Sequence, residues 1–279
     1  YSFVDHEHLE HLFHNHMVLP LANPLSADLD VMRTTLMPGL LNSLSRNLRR
    51  QQGRVRLFES GVAFLQGDSM NEVNRVAAVA TGQVLPEQWG VSNREIDFFD
   101  MKGDLEALLS MKGEAGLAEF IPAELPWMHP GACAVVRMHG NDIGWVGAVH
   151  PTVLKKFEVK KSVYAFEIDL EHLLSRDVPF AKEISRFPSV RRDIAVMLPI
   201  DVNYMTVDKC IRDAAGPHLE SVRVFDVYQG ENLKEGYKSL AIGLIFNNVS
   251  STLRDEDVDP AIGGIVSALE SHLGAQLRG

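Results

Sequence analysis

Apolar residues recur with two different periods along this chain, and the changes of period mark out its elements. Leu36, Leu40, Leu41, Leu44 and Leu48 share one helical arc of about 140°, at roughly 100° per residue. Pro38 suits the first turn of that helix, where its missing N–H costs nothing. Arg46, Arg49 and Arg50 fall on the opposite side. Residues 55–59 and 73–80 read as strands, as do 132–138, 143–149 and 163–170, while 105–109 reads as helix. Many strands broken by glycines and short turns, with few helices between, predict a largely antiparallel sheet backed by helices. The fold class is α+β.

The later part of the chain is easier to read. Ile194, Val196 and Leu198 alternate as in a strand. Residues 203–215 have helical spacing, which turns Met205, Cys210, Ile211 and Ala214 inward, and Gly216-Pro217 stops them. A second strand covers 219–227, and Leu240, Ile242, Leu244 and Phe246 alternate in a third. Thr252 and Asp255 resemble a capping box, and Asp255, Glu256 and Asp257 favour the positive end of a helix dipole. Val258, Ile262, Ile265, Val266, Leu269 and Leu273 then line one helix face, with a short last strand at 275–278. The order β-α-β-β-α-β predicts a ferredoxin-like sandwich. Ser175-Arg176-Asp177-Val178-Pro179 and Arg186-Phe187-Pro188-Ser189 break periodicity as a linker does, which divides the chain into 1–182 and 183–279.

Composition narrows the function. The chain has 279 residues and a net charge of −10, with 17 basic and 23 acidic residues in 1–182 and 10 and 14 in the remainder. A general nucleic-acid coat is normally basic, so any RNA contact here is a local patch, and DNA binding is not expected. No apolar run approaches the roughly 18–20 residues that span a bilayer. Cys133 and Cys210 are far apart and lack metal-ligand spacing, which points to a reducing, cytoplasmic setting. The opening Tyr1-Ser2-Phe3-Val4 reads as a piece of a longer chain.

Candidate chemistry is sparse. Five histidines near the start, His6, His8, His11, His14 and His16, include pairs at helical spacing, but without a fixed ligand set a solvated helix accounts for them and no metal site is expected. Asp97, Asp100, Asp104 and Glu106 have the composition of an acid/base set, although Asp104 fits the first turn of a helix at Leu105. His129-Pro130 and His150-Pro151 sit at turns with no local partner to orient an imidazole for catalysis. Ser60-Gly61 lacks a nucleophile-elbow context, and neither Gly-rich phosphate loop occurs. No catalytic residue is assigned. Tyr228, at the end of a strand and followed by Gln229-Gly230, has Lys234, Lys238 and Arg254 nearby, an arrangement that can stack a splayed base while cations meet phosphates. Tyr228 also shares parity with Val222 and Val224, which would bury it, and pattern alone leaves the two readings equal. Arg192, beside Arg191, is open between a phosphate contact and a solvated strand start.

Ordered blocks then carry a resemblance. Phe187-Pro188-Ser189-Val190-Arg191-Arg192-Asp193-Ile194 resembles the C-terminal anticodon-binding domain of the bacterial phenylalanyl-tRNA synthetase beta subunit family, and Phe225 to Gly230, Glu235 to Ala241 and Thr252 to Glu256 continue it. Asn23-Pro24-Leu25-Ser26, Met32 to Leu36, Phe58-Glu59-Ser60-Gly61, Asp97 to Asp104, His129-Pro130-Gly131 and Gly144 to Pro151 extend it over essentially the whole chain.

The resemblance implies that residues 1–182 form a catalytic-like module with a class II synthetase fold, and 183–279 a ferredoxin-fold anticodon-binding domain. In that family the module is silent, and the alpha subunit activates phenylalanine with ATP. Arg56 and Glu59 resemble a decayed second motif, and no third motif occurs. ATP and magnesium are expected in the full complex and no cofactor in this stretch, since the family's editing and magnesium-bearing regions lie upstream. Expected partners are the alpha subunit, in an α2β2 heterotetramer, and tRNA(Phe). Leu36, Leu40, Leu44 and Arg49 would contribute to the subunit interface, although a leucine stripe is more often plain core, and Tyr228, Arg192, Lys234, Lys238 and Arg254 would touch RNA. Two rivals remain: an active ATP-dependent amino-acid-activating enzyme, and a free-standing tRNA-binding accessory protein.

Overall fold

A computed structural model describes residues 1–12, 18–66, 70–111, 118–174, 184–230 and 233–278. The chain forms two compact units, Tyr1–Pro179 and Phe180–Gly279. The expected boundary at 182/183, and the proposed linker at 175–179, lie outside the described residues, as do His14 and His16.

The first unit begins with β1 (Phe3–Val4), α1 (His6–Leu12), β2 (Val31–Met32) and α2 (Met37–Arg49). The long strands β3 (Val55–Gln66) and β4 (Met70–Thr81) follow, then α3 (Phe98–Ser110) and β5 (Ala118–Pro122). β6 (Met128–Met138), β7 (Asn141–Val149), α4 (Pro151–Lys156), β8 (Tyr164–Asp169) and α5 (Glu171–Leu174) complete the unit. Six strands make one antiparallel sheet in the order β3-β4-β8-β7-β6-β5. The five expected strands are present, four of them longer than expected and β8 a residue shorter at each end, while β5 and α4 lie where no period singled them out.

Alternation sends the two halves of each strand's side chains to different helices. Ala77, Val79, Trp145 and Ala165 face α2, where Leu36, Met37, Leu40, Leu41 and Leu44 cover them with Leu154 and Phe157. Val76, Val136, Val146, Phe166 and Ile168 face α3, which contributes Met101, Leu105 and Leu109. The leucine stripe therefore belongs to this unit's own core. Leu36, Leu40 and Leu44 are no more than 3% exposed, which corrects their expected place in a subunit interface. Arg49 does lie at the surface, paired with Glu158.

The acidic set is also structural. Helix α3 starts earlier than its apolar residues indicate, because Asp97 caps it by accepting the N–H groups of Phe99 at 2.8 Å and Asp100 at 3.0 Å. Asp100 returns a bond to Asp97 N at 2.9 Å and holds Arg94 through two contacts of 2.6 Å. Asp104 is therefore not in the first turn; it pairs with Arg56 from farther along the helix, and Glu106 pairs with Lys102 one turn away.

The second unit runs β9 (Val190–Pro199), α6 (Tyr204–Ala215), β10 (Leu219–Tyr228), β11 (Tyr237–Phe246), α7 (Asp255–Leu273) and β12 (Gln276–Leu277). Its antiparallel sheet has the order β10-β11-β9-β12, with both helices packed on one face. This is the ferredoxin-like arrangement. Two details differ from expectation. The inward stripe of α6 is Val207, Ile211 and Ala215, at strict i, i+4 spacing, and leaves Met205 exposed. The α7 cap is Arg254, whose N–H donates to Asp257 Oδ2 at 2.8 Å, so Thr252 plays no part in it.

Candidate nucleic-acid interface

Among the described residues of the second unit, both helices pack on one face of its sheet and none on the other. The register places Ser239, Ala241, Gly243 and Ile245 of β11 on that open side, beside Met197, Ala195, Asp193 and Arg191 of β9. Ala195, Ala241 and Gly243 are the smallest residues in the sheet's centre, so they form a low floor on which a flat ring can lie. The Arg191 and Asp193 side chains lie over Gly243, where a Cβ would come within 3.2 Å of both Arg191 Nη2 and Asp193 Oδ1.

Tyr228 stands at the rim of this floor, and its orientation comes from a β-bulge. Val222 and Val224 pair with Leu244 and Ile242 and face the helices. Phe225 is then an extra residue, and after it Asp226 pairs with Ala241 and Tyr228 with Ser239, both on the open side. One added residue flips every later side chain to the other face. The parity argument for a buried Tyr228 fails for that reason. Tyr228 is 36% exposed, and Phe225 is 50% exposed.

Arginines lie over both rings. The Arg278 guanidinium is 5.8 Å from the Tyr228 centroid, and that of Arg191 is 5.3 Å from Phe225, held partly by Asp193 Oδ1 at 2.8 Å. These are cation–π distances. Neither Arg278 nor Phe225 carries a local sequence signal: the first lies just beyond a two-residue strand, the second at the bulge. Gly230 serves the orientation of Tyr228. A Cβ there would meet the Tyr228 hydroxyl at 2.5 Å, so the glycine makes room for the tyrosine itself.

The remaining predicted cations do not converge on Tyr228. Arg192 points to the helix side and pairs with Asp255, with Asp259 at 3.8 Å. Lys238 donates to the carbonyls of Ile200 at 3.0 Å and Val202 at 2.6 Å, which ties down the turn after β9. Arg254 caps α7 beyond the Phe246 end of β11, whereas Tyr228 pairs near the other end of that strand. Lys234 is exposed at the Tyr228 end and lies over the Tyr237 ring at 4.9 Å.

In the first unit, the motif-like residues have protein partners. Arg33 is 7% exposed, binds Glu59 Oε1 at 2.5 Å and donates to Val62 O at 2.8 Å and Tyr1 O at 3.2 Å. His150 Nδ1 caps α4 by accepting Thr152 N–H at 3.2 Å, and His129 Nδ1 lies 2.7 Å from Pro130 O. Near the start, His8 stacks on Phe157 with centroids 4.6 Å apart, and His6 Nδ1 meets Asp30 Oδ2 at 2.6 Å. Asp5, His6 and Asp30 bring three potential ligand atoms within 4.8 Å of one another.

Comparison with known proteins gives these features a context. Residues 1–170 match the phenylalanyl tRNA synthetase beta chain CLM domain, and residues 185–278 match the ferredoxin-fold anticodon binding domain. The phenylalanine–tRNA ligase beta subunits of Xanthomonas campestris pv. campestris (strain 8004) and Xanthomonas axonopodis pv. citri are 44% identical to it over 282 residues. That of Pseudomonas fluorescens is 41% identical over 279 residues. All of this chain is covered in each case, and it spans 35% of the length of these curated relatives. With both domain types matched in order along it, the chain belongs to the phenylalanyl-tRNA synthetase beta chain family.

Proposed function

We propose that this chain serves the charging of tRNA(Phe) as the C-terminal part of a phenylalanine–tRNA ligase beta subunit. Its second unit holds the anticodon region of the tRNA, and its first unit is a non-catalytic scaffold for the alpha subunit in an α2β2 assembly. ATP and magnesium act in that assembly and not on these residues. The observation that carries the reading is the open sheet face, where Tyr228 and Phe225 border a floor of Ala195, Ala241 and Gly243 beneath Arg278 and Arg191. Splayed single-stranded bases stack on such aromatics, and arginines add both stacking and phosphate contacts. The scaffold reading draws support from Arg56 and Glu59, whose charges are engaged by Asp104 and Arg33.

The test is tRNA(Phe) binding by the full chain. Stacking of one base is worth about 1–3 kcal/mol, so Tyr228→Ala weakens binding roughly 5- to 150-fold. Lys234→Ala has a smaller effect and chiefly flattens the salt dependence. Unchanged binding by a folded Tyr228→Ala variant would overturn the RNA site. Phenylalanine-dependent ATP–pyrophosphate exchange that copurifies with the chain alone would overturn the non-catalytic reading.

A further inference from the structure

The first unit carries a basic cleft that the anticodon reading leaves unused. Arg49 and Arg50 end α2, while Lys155, Lys156, Lys160 and Lys161 follow within and just after α4. The two segments are distant in sequence and joined in space. Arg49 pairs with Glu158, and Lys161 Nζ donates to Gly53 O at 3.1 Å. Between them lies a cleft of about 910 Å³ whose lining includes Arg49, Lys155, Lys160 and Lys161, with apolar Leu154 and Val163 beneath. Six cations face one acid, Glu158, within these two segments, in a chain whose net charge is −10. Such a concentration is the reverse of the surrounding field, and it attracts polyanions selectively.

We propose that this cleft binds the sugar–phosphate backbone of double-stranded RNA, as a contact separate from the open sheet face of the second unit. The four lysines are exposed on an open surface. A site for one small phosphate would instead hold it with buried, hydrogen-bonded donors. Exposed cations along a cleft fit the repeated charge of a backbone, where affinity comes from neutralised phosphates and carries no base preference. Arg46 is not part of the site, since Asp28 lies in its field and has its carboxyl held low chiefly by Ser26, with Arg46 contributing.

The probe is a blunt RNA duplex of about 16 base pairs, the length a duplex-reading module spans, which offers no unpaired base for Tyr228 to stack. Binding to the full chain is followed by anisotropy across a salt series. The double variant Lys155→Glu/Lys160→Glu binds at least about tenfold more weakly at low salt and loses about 1.8 from the log–log salt slope, about 0.9 for each contact removed. Glu158→Gln frees Arg49 and acts in the opposite direction, with tighter binding and a steeper slope, which a misfolded variant cannot give. Because the duplex offers no unpaired base to the open sheet face, failure here is distinguishable from failure of the anticodon reading. Equal duplex binding by wild type and the double variant overturns the proposal. So does tighter binding of a glutamate-rich peptide than of the duplex at matched ionic strength, which would make the cleft a docking surface for protein.

Discussion

The Thr35 hydroxyl donates to the Glu167 carboxylate across 132 positions of sequence, from the approach to α2 into the middle of β8. Glu167 is 2% exposed and also accepts Leu36 N–H at 3.2 Å and Arg75 Nη1 at 3.3 Å, while Thr35 Oγ1 accepts Met37 N–H at 3.2 Å. A carboxylate from a distant strand thus serves the start of α2, which has no side-chain cap of its own. Burial pushes the Glu167 carboxyl up from its usual range, against the opposing pull of Arg75 and the Thr35 and Leu36 donors.

Removing this carboxylate leaves Arg75, Thr35 and a helix N–H without their shared acceptor. Glu167→Ala should destabilise the chain by about 3–5 kcal/mol, the cost typical of breaking a buried pair from one side. Thr35→Val should cost about 1–3 kcal/mol. Urea unfolding followed by circular dichroism measures both, and a Glu167→Ala loss below about 1 kcal/mol would contradict a structural role for the network.

Leu44 tests where the leucine stripe works. Because it is fully buried under the first sheet, Leu44→Ala should lower the stability of the chain alone by about 2–5 kcal/mol. An interface leucine would instead leave the free chain's unfolding midpoint unchanged and alter only its assembly.

The His6–Asp30 pair should give the start of α1 a pH dependence. The Asp30 hydrogen bond raises His6 above its ordinary 6.5, and burial, which opposes it, is the smaller effect. Asp30 is lowered, with His6 outweighing a burial penalty. A raised histidine contributes fully below its unfolded value and loses that contribution as pH rises through its folded value. A lowered carboxylate loses its contribution as pH falls through its folded value. The pair is therefore intact between those limits. Proton NMR titration should find His6 above 6.5 in wild type and back near 6.5 in Asp30→Asn; equal values in the two proteins would exclude the pairing.

The two thiols should react at very different rates. Burial pushes Cys133 up to about 11, and it also raises Cys210, which is less enclosed. Only the thiolate attacks a disulfide reagent. At mildly alkaline pH the native chain should titrate with one faster thiol, lost in Cys210→Ser, and one that reacts at the pace of unfolding. Two equally fast thiols would show Cys133 to be accessible.

Periodicity along the chain determined most of the architecture. The β-α-β-β-α-β order of the second unit, the positions of five strands of the first and the leucine-striped α2 all follow from spacing, because which face a residue presents is local geometry. The blocks that carry the family resemblance were readable in the same way. Only the folded chain decided which side chains converge. The bulge at Phe225 turns Tyr228 outward, since one inserted residue reverses parity without leaving a mark in composition. Arg278 reaches Tyr228 because β12 pairs antiparallel to β9, a relation set by sheet order. Arg192 and Lys238 look as available as any cation in sequence, yet they are held by Asp255 and by the carbonyls of Ile200 and Val202. Pairing between distant segments is set by packing, and local spacing contains no term for it.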